Sequence, residues 1–267
     1  MSKLKNMTRN MWDINMFRNL FYAIIVCVIW QTVYIKEVFP SILFPSVKKI
    51  GDSLLTELLN GTMLVKLTFS MRLIIIGILI SVLLTSVLTV FAMYNNSLKH
   101  LINTLISVFD PLPGIAMLPL AILWVGIGDK AIIFVMVHSI IWPMLLNIIG
   151  GFNSVPIIYR DVGQSIGLKG IKLILGVYIP ASIPSILTGF KTGWSRAWRA
   201  LIAAEMVFGT TGETGGLGWD IYTKRSYLDM SGMFASLIVI MIIGIIVEDI
   251  IFKKIENNTV KKWGMVS

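Results

Sequence analysis

Six apolar segments, each long enough to cross a lipid bilayer, leave this chain little choice but to fold as a bundle of membrane helices. They run over roughly Phe17–Ile35, Leu67–Met93, Leu101–Val125, Ala131–Ile149, Ser182–Phe208 and Met233–Phe252. About 20 apolar residues in a helix cover the hydrocarbon core. Inside that core every backbone donor and acceptor must be satisfied within the segment, which a helix achieves by itself. Composition agrees, since 14% of the residues are charged against about 25% in soluble domains. Too little chain lies between the segments to bury a second core. The expected fold is all-α, a polytopic membrane protein with about six transmembrane helices.

The formal charge of +9 does not point to nucleic acid, because the basic residues sit largely at segment ends. Six spans place both termini on one side. That side receives Lys3, Lys5, Arg9, Arg18, Lys99, Arg160, Lys169, Lys172, Lys253, Lys254, Lys261 and Lys262. The other receives Lys36, Lys48, Lys49, Lys66, Lys130, Lys224 and Arg225. Twelve against seven makes the first side cytoplasmic, so the chain is expected to be multi-pass in the cell membrane with N and C termini inside. The basic start followed by Phe21–Trp30 has the look of a secretion signal, but no small-x-small cleavage site follows, and a first membrane helix is the better reading.

Several chemistries lack their residues. Cys27 is the single cysteine, so neither an internal disulfide nor a CxxC site can form. His100, placed in a short loop, and His138, within the fourth span, have no ligand-type neighbours at metal-binding spacing. The chain lacks HExxH. The glycine run from Gly209 to Gly218 lacks the Lys-Ser/Thr ending of a phosphate-binding loop. No enzyme activity, metal or cofactor is expected in this chain. Trp12, Trp30, Trp124 and Trp142 lie near segment ends, where tryptophan anchors membrane helices at the interface.

Three stretches are irregular. Lys36–Lys66 is amphipathic, with Pro40 and Pro45 ahead of either a surface helix or a plain outer loop. In the third span, Asp110-Pro111-Leu112-Pro113-Gly114 interrupts the helix, and Pro119 follows. Irregular backbone at membrane depth is satisfied by protein or by a water-filled path, so the segment either lines a path or marks a helix start near Pro111. In the fifth span, Gly189, Gly193 and Ala197 recur every four residues, a spacing that lets helix backbones approach closely. That span also carries Lys191, Arg196, Arg199 and Glu205. Arg196 and Arg199 share a face and suit an anion, or else a structural ion pair or snorkelling toward headgroups. Glu205 lies on the opposite side of an ideal helix from Arg196, so the partners of both come from other segments.

Between spans four and five, Ile158, Val162 and Ile166 form an apolar stripe beside Arg160, Asp161, Gln164 and Lys169. Gly163, Gly167 and Gly170 weaken that helix by about 1 kcal/mol each relative to alanine. The cost makes sense where another segment packs closely or the helix must end. The residues alone describe a short amphipathic helix that either docks into a groove or lies on lipid.

Asp161-Val162-Gly163, then Gly167-Leu168 and Val177-Tyr178-Ile179-Pro180, resembles the "EAA" signature of ABC-importer permeases. Asp161 stands at the usual glutamate, and Val162 and Gly163 at the two usual alanines. Pro113–Leu120, Leu123–Lys130, Ala203-Ala204-Glu205-Met206 and Gly215-Gly216-Leu217-Gly218 resemble the nitrate/sulfonate/taurine-type branch of that family. The resemblance covers about Leu64 to Trp263. It implies a tail, first helix and outer loop over 1–63, a permease core over 64–252 and a cytoplasmic tail over 253–267. It also implies a cytoplasmic coupling helix in which Asp161, Val162, Gly163, Gly167, Leu168 and Pro180 meet an ABC ATP-binding subunit, which alone would hold ATP and magnesium. A separate extracytoplasmic binding protein would deliver a small nutrient such as a sulfonate, nitrate or taurine. A second permease copy, in a homodimer, would complete the path, with Arg196, Arg199 and Glu205 as pathway residues and Gly189, Gly193 and Ala197 as a packing face. The rival readings are a membrane-embedded enzyme, which needs ionisable residues converging from several helices, and a secondary transporter, which commonly shows an internal repeat.

Overall fold

The computed structural model describes residues 18, 21–208, 215–260 and 262. Lys3, Lys5, Arg9, Trp12, Phe17, Lys261 and Trp263, on which parts of the charge count, the anchor assignment and the resemblance rest, lie outside the described residues. Among the described residues the elements are helical: α1 Phe21–Ile35, α2 Val47–Leu59, α3 Thr62–Tyr94, α4 Asn96–Phe109, a 3₁₀ turn Gly114–Met117, α5 Leu118–Val125, α6 Asp129–Asn153 and α7 Ile157–Ser165. They continue as α8 Ile171–Ala181, α9 Ile183–Phe208, α10 Leu217–Ser226 and α11 Met230–Asn258.

By length and apolarity α3, α6 and α11 can each cross a membrane, and two bent pairs raise the number to five. One pair is α4 with Gly114–Val125, bent by 96°; the other is α8 with α9, bent by 78°. Hydropathy alone makes the third span one segment, Leu101–Val125, with Lys99 and His100 in a loop before it. Instead Asn95 caps α4, its side chain accepting the Ser97 N–H at 2.7 Å, and Lys99 and His100 are helical. The break falls at Asp110–Pro113, where two prolines remove donors and Pro113 is extended. The second bend follows Pro180, four residues before Pro184, and α8 relaxes into a wide i→i+5 turn over Ile174–Tyr178.

The chain divides into two compact units. The larger holds residues 62–220 and 238–267. Its centre is α6, with Val135, Met136 and Leu145 fully buried. Against α6 lies α9, and the small residues set their approach: a Cβ on Gly193 would sit 3.1 Å from Ile140 Cγ2, and one on Gly189 3.2 Å from Asn147 Cβ. Ala197 is fully buried in the same row. Membrane helices associate through such close contact, because lipid gives no hydrophobic drive to pack. Helix α3 turns its small polar residues inward, burying Ser70, Ser81 and Thr85, and presents Leu79 and Leu83 outward. The Ser81 hydroxyl satisfies itself by donating to Gly77 O at 2.7 Å.

The smaller unit holds 1–61 and 221–237. Of the two alternatives for Lys36–Lys66, the helix is the one formed: α2, which Ser46 caps by accepting the Lys49 N–H at 3.3 Å. Trp30, expected as an interface anchor, has partners of its own: it stacks on Phe44 at 4.1 Å, meets Phe234 edge-on at 4.9 Å and donates its indole N–H to Pro45 O at 2.9 Å. Lys224 donates to both Glu57 carboxylate oxygens at 2.6 Å, and to Ser236 Oγ at 3.0 Å.

Candidate functional site

Two sites in the larger unit carry the residues that the sequence singles out. The first is built on α7. This nine-residue helix buries one residue, Gly163, and exposes its apolar stripe, with Ile158 65%, Val162 56% and Ile166 72% exposed. Gly163 is where the helix is fastened: a Cβ there would stand 2.8 Å from both Leu173 Cδ1 and Val177 Cγ2 of α8. Leu168 closes the gap, its N–H bonding Gly163 O at 3.0 Å and its Cδ1 lying 3.3 Å from where a Cβ on Gly176 would be. The turn between them passes through Gly167 at φ +86°, a left-handed conformation open to glycine. Asp161 is exposed, and its neighbour Arg160 reaches it at 3.4 Å, a surface pair of little energetic weight. Pro180 is exposed at the end of α8. The fastening face thus points back to α8, and an apolar strip with one carboxylate points away from the chain.

The second site is a cavity of about 600 Å³ where the broken third span meets α6 and α9. Phe109–Ile115 forms one wall; His138, Ser139 and Trp142 of α6 and Arg196, Arg199, Ala200 and Ala203 of α9 form the rest. Its edge is pinned by stacking of Phe109 on Trp142 at 5.0 Å, so this tryptophan too has a ring partner. Gly114 sits flat on α6, since a Cβ would fall 1.9 Å from Ser139 Oγ. Arg196 pairs with Asp110: Nη1 donates to Oδ1 at 2.6 Å and to the Asp110 carbonyl at 3.3 Å. Arg199, one turn on, donates Nε–H to Ser195 O at 3.1 Å, and its terminal nitrogens have no partner among the described residues. The two arginines therefore differ, one neutralised and one offered to the cavity. Among the described residues no group of three or more His, Cys, Asp and Glu is placed to hold a metal.

Glu205 does not line this cavity. It is 1% exposed and belongs to a tight cluster with the glycine-rich loop. Ser70 of α3 donates to its carboxylate at 2.8 Å, the Gly218 N–H does so at 2.8 Å, and Ser70 Oγ accepts the Leu217 N–H at 3.0 Å. A Cβ on Gly216 would lie 2.2 Å from Glu205 Oε1, and one on Gly218 2.3 Å from Ile202 O. Lys66 and Asp220 pair in the same unit. Of the partners, Asp110 carried a legible signal, an acid at an irregular break in an apolar span; Ser70, a serine among apolar residues, carried none.

The family pattern described as "binding-protein-dependent transport system inner membrane component" matches residues 77–261. A protein of Methanocaldococcus jannaschii carrying the name of an ABC transporter permease is 31% identical over 83% of each chain. The taurine transport system permease of Escherichia coli is 25% identical over 84% of this chain and 82% of its own. The nitrate import permease of Synechocystis is 30% identical over 55% of this chain and 52% of its own.

Proposed function

We propose, because this chain belongs to the family of binding-protein-dependent transport system inner membrane components, that it forms half of a solute gate driven by a separate ATPase. The family's members are transport subunits rather than enzymes, and the chain is a multi-pass membrane protein. The observation that carries the mechanism is α7, whose apolar strip and Asp161 are exposed while Gly163 ties it to α8. An apolar strip of this size gains by burial, at about 25 cal/mol per Å², and a helix fastened at its back transmits a push from its front. The strip and Asp161 dock into a groove of the ATP-binding subunit, which holds ATP and magnesium. Closure of the ATPase pair moves α7, and through Gly163 and Val177 it moves α8 and the bend into α9, a rigid-body switch of the gate. A binding protein outside the cell loads the solute, and two copies of this chain enclose the path.

The solute is a small molecule with an anionic oxo group, of the nitrate, sulfonate or taurine kind. Arg199 supports this, because it lines the cavity and a guanidinium with unpaired terminal nitrogens is suited to charge-assisted hydrogen bonds. Arg196 shares the path in its paired state, and Glu205 holds the outer loop.

The test is co-purification of the tagged chain from its own membrane in mild detergent. A stoichiometric ATPase should be retained by the parent and lost, by about tenfold or more, in Ile158→Asp/Val162→Asp, with the permease still in the membrane fraction. Retention of the ATPase by that variant would sink the docking assignment.

A further inference from the structure

The charge in the cavity is set by three residues. Arg196 and Arg199 bring two positive charges and Asp110 brings one negative, with His138 counted neutral as in the chain's formal charge. We infer that Asp110 determines which anions the cavity accepts: by neutralising Arg196 it leaves Arg199 as a single uncompensated charge, matched to a monovalent anion and mismatched to a divalent one. The inference rests on the proposal that this cavity belongs to the solute path.

The geometry favours charge setting over a purely structural bond. The Asp110 wall is held without the ion pair, because Phe109 stacks on Trp142 and Gly114 is seated on Ser139 with no room for a side chain. Asp110 and Arg196 are also only partly covered, their side chains 20% and 36% exposed. A bond so accessible adds modestly to stability, yet its charge still acts on anything bound in the same cavity. A lone Arg199 then meets one negative charge. Phe109 and Trp142 add an apolar wall to the same cavity, suited to the substituent of an organic anion. A second negative charge would find Arg196 already occupied and would lie near the Asp110 carboxylate, where like charges repel.

The experiment uses the full-length chain purified with its retained partners, carrying Cys27→Ser and Ala203→Cys, so that the single thiol lines the cavity. Protection of that thiol from a maleimide is titrated with methanesulfonate and with sulfate at matched ionic strength. These two tetrahedral anions differ chiefly by one charge. The parent should be protected by methanesulfonate at lower concentration. Asp110→Asn keeps the shape but frees Arg196, and should shift the ratio of half-protecting concentrations toward sulfate by about tenfold or more. Asp110→Asn/Arg199→Gln should restore the parental ratio, and Asp110→Glu should keep it. Arg196→Gln leaves no net charge and should lose protection by both anions. It tests the same role should Asp110→Asn fail to reach the membrane, and parental protection in Arg196→Gln would count against charge setting. An unchanged ratio in Asp110→Asn, with protection intact, overturns the charge-setting role and leaves the cavity as path. Absence of protection by either anion in the parent overturns the path assignment, and the inference with it.

Discussion

Glu205 shows how a membrane protein keeps a carboxylate that faces neither solute nor solvent. A buried carboxylate is costly unless donors surround it, and here Ser70 and the Gly218 N–H supply them at 2.8 Å each. Ser70 acts twice, donating to the carboxylate and accepting from Leu217 at 3.0 Å, so one hydroxyl ties α3 and α9 to the start of α10. Ser70→Ala strands the Leu217 N–H and removes one donor from Glu205, and should cost about 1–3 kcal/mol. Gly218→Ala should cost at least as much, because its Cβ would meet the Ile202 carbonyl at 2.3 Å and backbone cannot swing aside as a side chain can. Thermal unfolding of the purified protein, followed by intrinsic tryptophan fluorescence, measures both. Parental melting of Ser70→Ala would show that the cluster does not hold the loop. Solute protection at the cavity should stay as in the parent after that substitution, since Glu205 and Ser70 do not line it.

At the scale of the element, α7 and α8 work as a pair because α7 presses a glycine against α8. Gly163→Ala should cost about 1–3 kcal/mol, since its Cβ would meet Leu173 Cδ1 and Val177 Cγ2 at 2.8 Å, and although the leucine methyl can rotate away, Val177 is branched at Cβ and held to one rotamer in a helix. Gly163→Leu has no such escape and should separate the helices, leaving ATP hydrolysis by the complex running without solute uptake. Gly167→Ala forces a side chain into φ +86° at about 1–2 kcal/mol, and Gly167→Asn, which tolerates that region better, should recover part of the loss. Uptake into vesicles against phosphate release separates these variants, and equal coupling in Gly163→Leu and the parent would refute the fastening role. The same pair shows what could be read in advance. Period-four apolar residues and three closely spaced glycines announced a short interrupted helix, and its position fits that pattern. What Gly163 packs against could not be read, because Leu173 and Val177 approach it only after the turn at Gly167 and the break at Gly170. Likewise the prolines announced the break at Asp110–Pro113. The pairing of Asp110 with Arg196 spans 86 residues, and that of Ser70 with Glu205 spans 135; contacts so distant have no local periodicity to betray them. The ring partners of Trp30 and Trp142 could not be read for a related reason, since an aromatic near a segment end carries no sign of what it stacks on.

For the molecule as a whole, the direction of the push matters, and direction depends on which side of the membrane each loop occupies. If an ATPase drives α7, then α7 must face the cytoplasm, and the break after α5 must face away from it, because α6 alone separates them with 25 residues of helix. Twenty-five residues at about 1.5 Å each exceed the hydrocarbon thickness of about 30 Å, so both ends of α6 clear the core. The charge pattern leads to the same expectation, with Arg160, Lys169 and Lys172 beside α7 and Lys130 alone at the start of α6. On a Cys27→Ser background, Gln164→Cys should react with a membrane-impermeant maleimide only after the membrane is opened. Lys130→Cys should react in intact cells whose outer barrier is permeabilised. Labelling of Gln164→Cys from outside would place α7 beyond the reach of ATP, and the driven-gate reading would then fail however well the helix fits a groove.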